Sequence, residues 1–482
     1  MTRSLNVTLT GLVLLMAVTI MSLSVEGCSW DEEFSADSRY YLTFSDDTVR
    51  VDTVFTGVTS ASQWFMIYNR NEVGVRLDAV LGGGESSPFR INLDGQGGHQ
   101  ITGLDIPAGD SLFCFVSVNI PQSDSPELFN AFDSIRFILE SGNVQHVRLS
   151  ASGQNAVRLR NSRIESNTRL SANLPYIIFD TLSVASGAVL TLEPGCRLYF
   201  HSGAMLDVEG RIVAQGKPDS IILMRGDRLD YLLEGIQYDC LDGLWGGVRL
   251  RSGSYGNVFS YCDIHSGEYG IKADSARADE LKFSLVSSVV HNVNGSCIEA
   301  TGCMIKVANS QITNGGSYCV DVAGGASYFD FCTIASFSIW NLGRQAVLLT
   351  DFRDDRNVTL NEARFNNCII TGRHSEEFVS ILSDSVKNLD IYKISNSLVM
   401  TSDTLDSHYE NVTFDRHGTP WGGASGFKGK TMEGYRSVFR LDSLSKARGI
   451  AFDTPVEWAV DLDGVTRPLT GADAGCYQYT GD

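Results

Sequence analysis

Three stretches gather residue types that could do chemistry. Asp351, Arg353, Asp354, Asp355 and Arg356 lie close together. Neighbouring carboxylates and guanidinium groups can bind calcium or sugar, which makes Asp354, Asp355 and Arg353 the candidate catalytic groups. The same composition also describes a solvated turn whose charges pair with one another. Residues 401–430 carry His408, Tyr409, Asp415, His417 and Trp421, a glycine-rich run follows at 422–426, and Tyr435 lies shortly beyond. Exposed aromatic rings stack on sugar faces, so Trp421, Tyr409 and His417 are the candidate ligand-binding residues; a segment shielding the end of a repeat array is the alternative. Asp461-x-Asp463-Gly464 begins like a calcium loop, but the later acidic ligands and closing Glu are missing, so it reads as a turn. No metal site is predicted and no cofactor is required; calcium is the one ion these acids would suit.

The elements that must position these residues are short strands. From Thr181 to Pro218, runs of three to five residues alternate with glycine turns. Further on a motif recurs: Cys or Ser, any residue, then an aliphatic. Its instances are Cys262-Asp263-Ile264, Ser288-Val289-Val290, Ser310-Gln311-Ile312, Cys332-Thr333-Ile334, Cys368-Ile369-Ile370 and Ser397-Leu398-Val399, with aliphatic spacings of 26, 22, 22, 36 and 29. A period near 22 fits one turn of a right-handed parallel β-helix. Gly270-Ile271, Cys297-Ile298 and Cys319-Val320 keep step as a second strand. Stacked rungs put equivalent side chains in ladders ~4.8 Å apart. The Cys and Ser of the motif therefore read as small inward side chains, not as disulfides or metal ligands. Trp245 lies within a strand motif and reads as core. The acidic cluster 351–356 falls in the 36-residue interval, where a loop or extra rung must be inserted.

Before the repeat, about Tyr40 to Val157 alternates apolar and polar residues in six to eight short runs, with Asp94-Gly95 as a hairpin turn. That pattern fits an Ig-like β-sandwich. The whole is all-β: residues 39–157 a sandwich, 158–400 the β-helix, and 401–482 terminal rungs, an insertion and a cap.

Composition narrows the partners. The chain has 482 residues, 43% of them hydrophobic, enough for large cores. Its 38 basic and 57 acidic residues leave a net charge of −19. Nucleic-acid binding, which needs a basic footprint, is disfavoured. Capture of anionic polymers would need a local basic patch or bound cation. Eleven cysteines occur with no CxxC pair, so a zinc ribbon is unsupported.

Residues 1–27 read as a targeting segment: Arg3, then the apolar run Leu12–Ile20, then Val25-Glu26-Gly27-Cys28. This resembles a bacterial lipoprotein signal, which implies a diacylated Cys28 as first mature residue and attachment to membrane lipid. An ordinary secretory signal cleaved nearby is the alternative. Residues 28–38 form an acidic tether, and Asp31-Glu32-Glu33 resembles the surface-export signal of Bacteroidetes lipoproteins. That implies an outer-membrane protein facing outward, with a periplasm-facing one as the alternative.

Two further resemblances follow. Asp52–Phe55, Ser87–Gly95, Gly109–Ser111 and Ala151–Gln154 resemble an Ig-like module of Bacteroidetes surface lipoproteins. Leu190–Gly195, Leu244–Leu250, the Cys-x-Ile ladder and the tail motifs Asp461–Pro468 and Gly475–Tyr479 resemble bacterial right-handed parallel β-helix lipoproteins, the tail being of the choice-of-anchor kind. The expected role is a non-catalytic envelope protein that binds a glycan or another envelope component, such as an envelope protein, along one face of the solenoid. The alternatives are a polysaccharide lyase or glycoside hydrolase and a structural or adhesive stalk. The Asn-x-Asp with Gly-His-Gly of polygalacturonases and the Arg-x-Pro-x-x-Arg of pectate lyases are both missing.

Overall fold

The computed structural model describes residues 33–481, apart from 123–127, 234, 278, 339–342, 388, 416–425 and 431–436. Two compact units divide the chain. One comprises the residues through Val51 with Ser60–Asn119 and Ala131–Ala151, and the other comprises Asp52–Thr59, Ile120–Asn130 and Ser152–Asp482. Among the described residues no helix is long and apolar enough to cross a membrane.

The first unit is built from two antiparallel sheets of five strands each. Its strands alternate as expected of a sheet with one wet face. In Val75–Leu81, for example, Val75, Leu77, Ala79 and Leu81 are buried and the residues between them are not. Phe65 of one sheet meets Phe137 of the other at 6.2 Å between ring centroids. Asp94 and Gly95 both take positive φ (51° and 77°), and Phe89–Leu93 pairs antiparallel with Gln96–Gly98 across them, the primed hairpin turn that Asp-Gly favours. The ten strands of this unit exceed the six to eight short runs read from the sequence, and Thr43–Phe44, Gln96–Gly98 and Gln100–Ile106 are the ones with the least visible pattern. Two are very short and the third is interrupted by Gly103, so their alternation is weak.

The second unit is the right-handed parallel β-helix that the ladder spacing predicts. Each full rung contributes three strands. A ten-stranded parallel sheet runs along one side, from Thr168–Leu170 to Tyr409–Glu410. An eighteen-stranded sheet holds two strands per rung, such as Cys262–His265 and Ile271–Ala273, and bends between them. The register agrees with the motif: Ile264 pairs with Val290, Val290 with Ile312, Ile312 with Ile334, Ile334 with Ile370 and Ile370 with Val399. All of these aliphatic residues are fully buried. Within the core, identical residues stack in register, with Phe329 and Phe365 parallel at 4.6 Å. Trp245 is also core, stacked on Phe200 at 4.1 Å.

The Cys/Ser ladder has a local cause. Each motif follows a residue of positive φ at the corner between sheets: Tyr261, Ser287, Asn309, Phe331, Asn367 and Asn396. The next side chain closes the corner by donating to the carbonyl two residues back. Ser288 Oγ reaches Val286 O at 2.8 Å, Ser310 Oγ reaches Ala308 O at 2.7 Å, and Cys368 Sγ reaches Asn366 O at 3.1 Å. Serine and cysteine are the small side chains that carry such a donor. Among the described residues all ten cysteines are buried and unpaired. Burial pushes the thiols of Cys196, Cys303 and Cys476 each up to about 12, so these three are inert packing groups.

The tail runs along the side of the solenoid. Outward-facing Ala335, Ile369 and Leu398 form an apolar patch with Phe427, Phe439, Leu441, Ala474 and Cys476. Polar contacts fix it: Tyr477 Oη donates to Gln311 Oε1 at 2.9 Å, and Cys476 N donates to Thr333 Oγ1 at 3.1 Å. Asp461 shapes the turn read from the sequence, accepting from Asp463 N at 2.9 Å and Val465 N at 2.7 Å.

Candidate functional site

The tail creates a groove on the solenoid. Ser284, Lys306, Tyr328 and Arg364 are register neighbours on successive strands of the ten-stranded sheet. They alternate with core residues such as Leu285, Val307, Phe329 and Phe365, so they face outward. A one-turn 3-10 helix of the tail, Val456–Trp458, stands opposite. Between them lies a groove of about 570 Å³ lined by Lys306, Tyr328, Asp330, Arg364, Glu457 and Trp458 among others.

Its polar groups are held in place. Tyr328 Oη donates to Glu362 Oε2 at 2.6 Å, and Arg364 Nε donates to Glu362 Oε1 at 2.9 Å. The exposed Lys306 amine lies 5.9 Å from the Tyr328 ring centroid. Asp330 Oδ1 accepts from Asn366 Nδ2 and from Asn367 Nδ2, each at 3.2 Å. Burial pushes its carboxyl up to about 6, against the opposing pull of these amides, the Trp458 indole and the Arg467 charge. Two aromatic side chains, two cations and a carboxyl pushed up to about 6 thus share one groove, a combination suited to polar ligands with an apolar face.

The acidic cluster of the sequence reading does not converge. Phe352–Arg353 pairs with Arg356–Asn357 in a hairpin, and Asp354 and Asp355 (φ 51° and 59°) are its two turn residues. The Arg353 guanidinium is bidentate on Asp321, at 2.9 and 2.7 Å. The Asp351 carboxylate accepts from the Ser383 amide at 3.0 Å and from its hydroxyl. A depression of about 500 Å³ flanks the hairpin, lined by Arg353, Asp354 and Arg356. Of the aromatic candidates, Tyr409 packs edge-on against Phe414 at 5.6 Å. Trp421, His417 and Cys28 lie outside the described residues.

Sequence reasoning missed a second constellation. Asp263 and His265 face outward on one strand, and His291 pairs with His265 on the next rung. His265 Nδ1 lies 2.8 Å and His291 Nε2 3.2 Å from Asp263 Oδ1, and the two imidazoles stack at 4.6 Å. His265 Nε2 lies 3.5 Å from Asp239 Oδ2, which accepts from Arg225 at 2.6 Å. Burial opposes charge on both partners. Attraction to the two histidines still holds the Asp263 carboxyl well below the usual carboxylate range, and attraction to Asp263 raises His265. The available signal was histidine directly after the motif aliphatic on two consecutive rungs. The groove residues had no comparable signal, because Trp458 joins Tyr328 only through the path of the tail.

No protein-family model matches the chain, and no curated protein matches it. Among solved structures it is similar to the pectate lyase Pel9A, at 11% identity over 68% of this chain and 88% of that one, with a TM-score of 0.28. It is also similar to the PapD-like domain 7 of human CEP192, at 10% identity over 27% of this chain and 94% of that one, with a TM-score of 0.17. A family 123 glycoside hydrolase from Clostridium perfringens matches at 14% identity over 27% of this chain, with a TM-score of 0.19, and the chain spans 30% of that enzyme.

Proposed function

We propose that the protein is an outer-membrane lipoprotein, anchored through Cys28, whose β-helix binds a glycan in the groove between Tyr328 and Trp458 without cleaving it. The observation that carries this reading is the groove itself: about 570 Å³, with two aromatic side chains, amide and carboxyl partners, and Lys306 at its lining. Sugar rings present C–H faces to aromatic rings and hydroxyls to amides and carboxylates. Lys306 and Arg364 place two cations beside the carboxyl groups of Asp330 and Glu457, so the groove offers both hydrogen-bond donors and acceptors to sugar hydroxyls. The amino-terminal sandwich acts as a spacer or interaction module of the Ig-like kind, and the acidic tether favours the outer surface.

The test is a glycan array probed with soluble protein that starts after Cys28. Saturable binding to a glycan class, at least tenfold weaker in Tyr328→Ala and Trp458→Ala, is the expected result. Absence of saturable binding across plant, host and bacterial polysaccharides would remove the proposal.

A second reading, polysaccharide cleavage, is favoured by one observation. A carboxyl pushed up to about 6, as at Asp330, is poised to give or take a proton near neutral pH. It predicts new reducing ends or unsaturated uronate product in the same wells, lost in Asp330→Asn.

A further inference from the structure

We infer that Asp263, His265 and His291 form a binding site for a divalent transition-metal ion of the zinc class. Each donor is placed by the rungs. Asp263 and His265 are two residues apart on one strand and so share its outer face, and His291 sits over His265 on the neighbouring rung. One ligand atom from each residue, two imidazole nitrogens and a carboxylate oxygen, lies within 4.8 Å of the others. The two contacts made by Asp263 Oδ1, at 2.8 and 3.2 Å, are somewhat shorter than the ~3.3–3.4 Å edge of a tetrahedron whose metal–ligand bonds are ~2.0–2.1 Å, so the donors need only open by a few tenths of an ångström. An ion enters with small side-chain shifts, and each imidazole turns its nitrogen from the carboxylate oxygen to the metal.

The outer contacts of the cluster are those of a metal site. His265 offers Nδ1 to the shared point, while its Nε2 faces Asp239 at 3.5 Å. Asp239 is buried and held by Arg225 at 2.6 Å. A carboxylate behind a ligating imidazole fixes the ring and its tautomer. The His265 carbonyl is itself fixed, accepting from the Trp245 indole at 2.8 Å. Access comes from the other side: the side chains of Asp263 and His291 keep 25% and 21% exposure, against 6% for His265. Two imidazoles and one carboxylate suit zinc and its neighbours rather than calcium or magnesium, which take oxygen donors. Three protein ligands leave the fourth tetrahedral position to solvent.

The test uses mature protein produced without a polyhistidine tag, stripped with chelator and titrated with Zn²⁺ and then Co²⁺. The expected result is one equivalent bound, a visible cobalt spectrum of tetrahedral type without thiolate charge transfer, and a raised melting temperature with zinc. His291→Ala and Asp263→Asn should abolish that equivalent. Asp239→Asn, a positioning change, should weaken it roughly 10- to 100-fold with unchanged stoichiometry. Circular dichroism of each metal-free variant checks the fold. No stoichiometric binding, binding unchanged in both folded ligand variants, or a cobalt–thiolate band would each overturn the site.

Discussion

At the residue scale, Glu377 shows how the solenoid tolerates a polar group at its corner. It occupies the position that Cys297, Cys319 and Ala346 hold on the preceding rungs. It is fully buried and accepts from the amides of His374 at 2.6 Å and Ala346 at 2.7 Å. Burial outweighs those two donors and pushes its carboxyl up from 4.5 to about 7. Below pH 4.5 folded and unfolded chains both hold the proton. Between 4.5 and about 7 only the folded chain keeps it, so stability falls as pH rises; above that the loss is complete. At ~1.4 kcal/mol per unit the effect is on the order of 3 kcal/mol. Urea midpoints measured across this range should fall in the parent and fall less steeply in Glu377→Gln; parallel slopes would contradict the assignment. The ladder cysteines make a second prediction. Serine fills the same column at 288, 310 and 397, so Cys332→Ser should cost about 1 kcal/mol or less, whereas Cys332→Leu overpacks the corner and should cost ~1–3 kcal/mol by chemical denaturation.

At the scale of elements, the rung was legible and its decoration was not. The motif Cys/Ser-x-aliphatic repeats because a left-handed corner residue, a small donor and an inward aliphatic are all required once per turn, and that requirement is written in adjacent residues. The hairpin at Asp354-Asp355 was legible only as charge. Its two-residue turn places both residues at positive φ, where Asp is tolerated, and that conformational demand accounts for the residue type at these two positions. Core stacking was invisible in the motif, because Phe329 and Phe365 are 36 residues apart and meet only in register. Phe365→Ala should cost ~3–5 kcal/mol, read as a lowered denaturation midpoint. A loss below 1 kcal/mol would mean that the stacked ring contributes little to the rung.

At the scale of the whole molecule, function depends on what the sequence brings together from afar. The tail crosses the outer side of the solenoid because Ala335, Ile369 and Leu398 leave an apolar strip there. In doing so it sets Trp458 opposite Tyr328, 130 positions away in the chain. No local pattern announces that groove, so the sequence drew attention to the conspicuous acids at 351–356 instead. The proposed anchor makes its own prediction: Cys28→Ala should lose metabolic lipid labelling and shift from the detergent to the aqueous phase, and an unchanged partition would contradict lipidation. The account's central claim is glycan capture by the tail and solenoid together. Its most direct test is calorimetric titration of the strongest array ligand into the parent, Tyr328→Ala and Trp458→Ala proteins. The account predicts one saturable site in the parent, with each variant folded but at least tenfold weaker, ~1.4 kcal/mol or more. Equal affinity in all three proteins would place binding elsewhere and contradict it.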